Sequence, residues 1–290
     1  MSWGKAKYEE LEIGEQLAHL EYVITAEKLQ RFRDAVEYQQ AQFPSIAAKE
    51  YLKVLTGKYG YLSVTSVEHE DLYYSPPRLN KRIQVTGWVR EKCQRQGRHW
   101  LVVETLAIDE DGTEIVRSRH TFLIDGLGSG WEGPVMAAKA AGLGIRDSLT
   151  QITRTVTQEK MDLFEAVGQA LTATDEAQAA RVPANIHTDP NRAREMGLDQ
   201  PVASGQMSFA FIHELLARRF GDDFRRGGKL TVTFRQPVSH GDTVTTCGLI
   251  AGETKANNRT TLALEVWQQN QRGEKTAAGT AEVTIPSPLT

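Results

Sequence analysis

The sequence has few cysteines: Cys93 and Cys247 are the only two in 290 residues. They lie far apart without metal-ligand spacing, and a lone pair builds no disulfide framework. That excludes a disulfide-stapled scaffold and makes a reduced, cytoplasmic setting the default expectation. Long apolar runs are missing too. None approaches the ~18 residues that a membrane helix needs, and the opening "MSWGKAKYEELEIGEQL" is charged throughout. Neither sign of charge is in excess, with 34 Lys and Arg against 37 Asp and Glu and a formal net charge of -3. A nucleic acid or an anionic membrane surface would find no large field to respond to, so neither is expected as a partner. Also absent is a Gly-x-Ser-x-Gly elbow, which argues against a Ser-His-Asp hydrolase, since Ala203-Ser204-Gly205 is not one. What remains is ordinary globular composition, long enough for one large core or two smaller ones.

The chain is written twice. "SPPRLNKRIQVTGWV" (75–89) lies over "QPVSHGDTVTTCGLI" (236–250) at an offset of 161, bringing Pro76 onto Pro237 and Gly87 onto Gly248. The same offset carries forward to "DGTEIVRSRHTFLI" over "RGEKTAAGTAEVTI", and back to "YLKVLTGKYG" over "IHELLARRFG". The beginnings match at 132 instead, "ITAEKLQRF" over "VTQEKMDLF". The second copy therefore holds 29 extra residues between Phe164 and Ile212. Function is sought in that insertion.

Each copy reads alike. A short amphipathic helix follows a Thr cap, and a longer apolar helix comes next, which Ser204 is placed to cap and Gly221 to stop in the second copy. Three or four strands follow. Leu230, Val232 and Phe234 alternate as in a half-buried strand, and Asp111-Gly112 and Arg272-Gly273 mark hairpin turns. A long apolar helix followed by antiparallel strands must wrap sheet around helix to bury both apolar faces. The expected class is α+β, with two antiparallel sheets each wrapped around a central helix. The N-terminal unit is expected over 1–127, a Gly- and Ala-rich linker over 128–148, and the C-terminal unit over 149–290.

A helix enclosed by a curled antiparallel sheet, present in tandem, resembles a double hot-dog protein. "IHTDPNRAREMGLDQPVASGQMSFAF" further resembles the MaoC-like R-specific enoyl-CoA hydratase/dehydratase family: Ile186-His187-Thr188-Asp189, then Gly197, then Pro201-Val202-Ala203-Ser204-Gly205 entering the central helix. The resemblance covers the second half closely and the first half loosely. It implies a catalytic overhang on the C-terminal unit, with the N-terminal unit shaping the acyl pocket. It also implies a small-molecule acyl thioester as substrate, with coenzyme A present only as part of that substrate and no separate cofactor or metal. Hot-dog edges often support association, so a homodimer is among the expectations. One departure stands out. The family's run is Asp-x-Asn-Pro-x-His, but Val182 occupies the Asp position and Asn185 that of the Pro.

Adding water across a conjugated thioester needs a group to deprotonate the water at the β-carbon and a donor to return a proton at the α-carbon. It also needs N–H groups for the enolate oxygen. His187 is the side chain of the segment that exchanges protons near neutrality, and becomes the expected acid/base. Asn185 is expected to orient it or the water. The Gly205 N–H at the helix start is the expected oxyanion donor. Val202, Ala203 and Ser204 are expected against the substrate. Asp189 before Pro190 has the pattern of an N-cap with Pro at the first helical position. Asp175 or Glu176 could replace the missing carboxylate, although their polar run suits a solvated loop. His213 is expected in the core, and His69 and His120 receive no role. Arg225, Arg226 and Lys229 suit surface solvation better than coenzyme A phosphates. Two alternatives stay open: altered chemistry in the same pocket (isomerisation, elimination or cyclisation), and a non-catalytic thioester-binding subunit.

Overall fold

The computed structural model describes residues 7–39, 49–60, 62, 64–124, 148–171, 182 and 184–287. The first unit runs β1 (Leu20–Val23), α1 (Ala26–Val36), α2 (Glu50–Tyr59), β2 (Val64–Tyr73), β3 (Arg82–Arg95), β4 (Arg98–Asp109) and β5 (Glu114–Ile124). The second begins with β6 (Ile152–Thr155), α3 (Gln158–Leu171), α4 (Pro190–Glu195) and α5 (Gly205–Phe220). It continues with α6 (Asp222–Arg225), β7 (Lys229–Phe234), β8 (Thr243–Ala256), β9 (Arg259–Gln269) and β10 (Lys275–Pro286). The starts of α1 and α3 are 132 residues apart, and those of β3 and β8, β4 and β9, and β5 and β10 are 161 apart. The two offsets seen in the sequence are thus structural. The expected linker over 128–148, except Ser148, and the Asp175-Glu176 pair lie outside the described residues.

Local signals set the element ends. Thr25 Oγ1 accepts from the Lys28 amide at 3.2 Å and Thr157 Oγ1 from the Lys160 amide at 3.3 Å, each meeting one donor left over at a helix start. Gly112 and Gly273 both take φ +79°, which their hairpin turns require and which a side chain would oppose. Gly221 ends α5 with its amide bonded to Ala217 O at 3.0 Å. Ser204 departs from expectation. It occupies the N-cap position, but its hydroxyl donates to Gln206 Oε1 at 2.5 Å rather than accepting from the helix. The neighbouring amide side chain competes for it, and the helix start is left open.

Each unit has four long strands, plus a four-residue strand ahead of its first helix that the sequence pattern did not disclose. The two sheets are one. Strands run β1-β3-β4-β5-β2-β7-β10-β9-β8-β6, all antiparallel, with β2 and β7 joining the halves. Glu70 faces Thr231, and these are equivalent positions of the two copies, so the local two-fold passes between them. Helix α5 runs through the core with every residue buried except Gly205, Arg218 and Arg219. Its central position explains why it is buried on all sides. Helices α1 and α3 pack together, with the Phe32 and Phe164 rings 6.3 Å apart. That contact carries one face of α3 towards α2 of the other unit. No described helix is long and apolar enough to cross a membrane.

Candidate active site

The extra residues of the second copy form a short overhang between α3 and α5. Asp189 accepts from the Asn191 amide at 2.8 Å and the Arg192 amide at 3.4 Å, and so caps α4 as its pairing with Pro190 suggests. Just before it the chain turns tightly, with the Asp189 amide on Asn185 O at 2.9 Å. Within this turn the His187 amide donates to Asn185 Oδ1 at 2.8 Å, and the Val202 amide holds Ile186 O at 3.2 Å.

The His187 ring is fixed from outside the turn. Its Nδ1 lies 2.7 Å from the Val202 carbonyl oxygen. A carbonyl only accepts, so Nδ1 carries the hydrogen and Nε2 keeps its lone pair. Burial pulls the imidazole below its ordinary range, against the opposing influence of Glu165 and the Val202 bond. His187 is therefore neutral at pH 7, with Nε2 available as a base.

Glu165 was not singled out in the sequence. It stands on α3 and accepts from Asn185 Nδ2 at 3.0 Å and from Lys49 Nζ at 2.5 Å. Asn185 thus bridges the carboxylate to the His187 backbone amide. Burial alone would raise the Glu165 carboxyl, but Lys49, His187 and Asn185 together hold it below the usual carboxylate range. Val182, at the position where the family has its Asp, is exposed at 45%. The carboxylate beside His187 comes from a different element. A clue lay in the pattern of α3, where Glu165 interrupts the buried stripe of Met161, Phe164, Gly168 and Leu171.

Two cavities meet at His187. The first, about 190 Å³, is lined by His187, Val202, Ala203, Ser204, Gly205 and Phe234, among others. Among the described residues the Gly205 amide meets no acceptor, as expected of the first turn of a helix. A Cβ at Gly205 would stand 3.1 Å from the Phe234 ring, so glycine lets that ring pack closely against the start of the helix. The second cavity, about 630 Å³, lies on the other side of His187 and is shared with α2 of the first unit. Among the described residues no group of three or more His, Cys, Asp or Glu side chains is placed to hold a metal ion.

The other sequence candidates sit elsewhere. Arg225 and Arg226 pair with Asp222, and Lys229 pairs with Glu70, and none of the three lines either cavity. His213 is a core residue whose Nδ1 meets the Tyr38 hydroxyl at 2.8 Å, with its pKa lowered to about 4 by burial. His69 and His120 are buried together, 2.7 Å apart, with Asp71 on the far nitrogen of His69.

Residues 183–280 match the family model of the MaoC like domain. The C-terminal unit carries a MaoC-like domain. The match spans the overhang from residue 183 on, α5, and the strands from β7 to the middle of β10, and leaves out β6 and α3. A search of curated proteins finds no match. Solved structures resemble the whole chain. A MaoC domain protein dehydratase from Chloroflexus aurantiacus J-10-fl is 9% identical with a TM-score of 0.72, covering 99% of each chain. A Mycobacterium tuberculosis protein described as a double hotdog fold is 9% identical with a TM-score of 0.60, covering 97% of this chain and 98% of that one. The peroxisomal multifunctional enzyme type 2 of Drosophila melanogaster is 15% identical with a TM-score of 0.65, over 93% of this chain but 48% of that longer one. At these identities the likeness establishes the fold, a double hot-dog; the family model matches residues 183–280 within its second unit.

The Glu165–Asn185–His187 chain predicts a pH effect. Protonated His187 cannot act as a base, so an activity that uses it as one would be complete above its folded pKa and lost as pH falls through it. That pKa lies below the ordinary histidine value. Glu165→Gln removes the charge that raises it. The acid limb of kcat/KM should therefore move to lower pH, while kcat on the plateau falls because the imidazolium formed during turnover loses its counter-charge. An unmoved limb would separate Glu165 from His187.

Proposed function

We propose that the protein adds water to, or removes it from, an acyl thioester, interconverting a 2-enoyl and a 3-hydroxyacyl form, with coenzyme A as the handle. His187 Nε2 takes a proton from water as the water oxygen bonds to the β-carbon. The electron pair of the double bond moves onto the thioester oxygen, where the Gly205 amide and the positive end of α5 meet the charge. The imidazolium, steadied by Glu165, then returns the proton to the α-carbon. Dehydration runs the same steps backwards, and no redox partner is needed.

The observation that carries this reading is the tautomer of His187, set by Val202 O with Nε2 left basic, in the same cavity as the open amide of Gly205. A carboxylate linked to His187 favours hydration over isomerisation, elimination or cyclisation in a pocket holding only His187 and Asn185. Open space on both sides of His187 weighs against a non-catalytic binding subunit, whose pocket would be filled by side chains. A cytoplasmic setting and a homodimer belong to the same proposal, the former suiting the free thiols of Cys93 and Cys247. The deciding experiment incubates enoyl-CoA esters in heavy-oxygen water. Label at the β-carbon of a 3-hydroxyacyl product supports the proposal, and unlabelled substrate from a folded protein overturns it.

A further inference from the structure

Three consecutive residues at the start of α2 each reach a different buried partner. Lys49 Nζ donates to Glu165 Oε1 at 2.5 Å, with the two side chains 11% and 5% exposed. Glu50 accepts from the Tyr22 hydroxyl, and the Tyr51 ring stacks on His120 with centroids 3.8 Å apart and planes at 8°. Of these three contacts, the first alone crosses into the second unit. Lys49 makes it from a left-handed backbone, φ 51° and ψ 43°. A residue with a side chain keeps that conformation where its surroundings over-determine it. Here the contacts of Glu50 and Tyr51, and the Leu52 amide on Lys49 O at 3.1 Å, hold the backbone from the other side. One cation of the first unit is thereby set on the carboxylate that Asn185 links to the His187 amide.

We propose, resting on the hydratase reading, that Lys49 is a positioning residue of the active site, supplied by the N-terminal unit. It keeps the negative charge on Glu165, so that His187 alone takes and returns the proton. Burial drives the Glu165 carboxyl towards its neutral form, and Lys49 leads the groups that reverse this. Burial also lowers His187 most, Glu165 opposes that, and Lys49 adds to it. Without Lys49 the Glu165–Asn185–His187 chain would hold one positive charge fewer. Its first proton would bind at higher pH and be shared between imidazole and carboxyl. A neutral Glu165 would then leave the imidazolium formed during turnover without its counter-charge. The other described charged groups of this cavity are Lys53 on α2 and Arg192 and Glu195 on α4. Tyr51 also feels Glu165, but burial above all keeps it a neutral phenol. All four are unchanged in the variants below, so differences between variants report Lys49 and Glu165.

The test is a titration without turnover, followed by NMR on protein labelled at the histidine rings and glutamate carboxyls. His187→Asn and Glu165→Gln assign the two signals. In wild type the His187 ring should titrate while the Glu165 carboxyl signal stays flat through that transition. In Lys49→Met the first midpoint of the pair should rise by about one pH unit, the scale of one nearby charge, and the Glu165 signal should titrate with it. Lys49→Arg should restore the wild-type pattern. A Glu165 signal that stays flat in Lys49→Met, with the His187 midpoint unmoved, overturns the inference and leaves Lys49 a structural tie. If Lys49→Met fails to fold, the double variant Lys49→Met with Glu165→Gln decides, because it strands no charge. Its His187 midpoint should lie above that of Glu165→Gln alone, and equal midpoints overturn the inference. Heavy-oxygen label entering crotonyl-CoA tests the hydratase reading apart. Label in wild type with a pair indifferent to Lys49 defeats only the role of Lys49. The expected titrations without label on any enoyl ester defeat only the hydratase reading.

Discussion

Replacing His187 with Asn should lower kcat about 10²–10⁴-fold, the usual contribution of a positioned acid/base, with little change in melting temperature. Asparagine suits this substitution because its side-chain amide can still donate to Val202 O, the bond that Nδ1 makes now. The overhang then keeps its tie to the start of α5, and only the basic Nε2 is lost. Steady-state hydration followed by ultraviolet absorbance of the enoyl thioester, with thermal unfolding alongside, gives both readouts. A variant within a few-fold of wild type would remove His187 from the chemistry. The mechanism would then have to begin from Glu165, which lines the second cavity.

The second large effect is on stability and lies away from the cavities. Arg154 and Glu214 form an ion pair at 2.7 Å whose side chains are 4% and 0% exposed. Glu214 also accepts from Arg218 at 2.6 Å and from the Gln39 amide at 3.0 Å, while Arg154 donates to Glu37 O at 2.6 Å. One buried carboxylate therefore ties α5 and β6 of the second unit to the end of α1 in the first. Replacing Glu214 with Leu removes the closer and buried of the two carboxylates on Arg154 and leaves it the half-exposed Glu37 at 3.6 Å, while its Nη1 already lacks a partner among the described residues. The expected loss is about 3–5 kcal/mol, typical of breaking one side of a buried pair, read as a fall in the urea midpoint. The double variant Arg154→Met with Glu214→Leu should recover most of it, because no charge is then stranded. A single variant as stable as wild type would mean that water reaches Arg154 once Glu214 is gone.

The differences between the two copies explain why some of this could be read without coordinates. Thr25 and Thr157 cap helices within three residues of themselves, and Gly112 and Gly273 turn hairpins on the spot. Such signals act over a few bonds and survive in any context, so the repeat and both of its offsets were legible. The insertion in the second copy followed from those offsets and led to His187, Asn185 and Gly205. All three line the cavities, and Asn185 takes its bridging place.

Ser204 marks the limit of local rules. Its position is that of a cap, but a neighbouring Gln206 side chain takes its hydroxyl. The missing carboxylate was beyond them altogether. Lys49 and Glu165 are 116 residues apart in the chain and meet because α1 and α3 pack together, which brings the residue ahead of α2 within reach of Glu165. Likewise the joining of two sheets into one depended on β2 finding β7, a pairing set by shape and burial at the junction rather than by any nearby turn. The sequence by itself showed the repeat, the longer elements and most of their ends, and the segment in which the candidate site was sought. Tertiary structure decided which charges share that site, because a buried ion pair between distant residues becomes favourable only when packing has already removed the water from both.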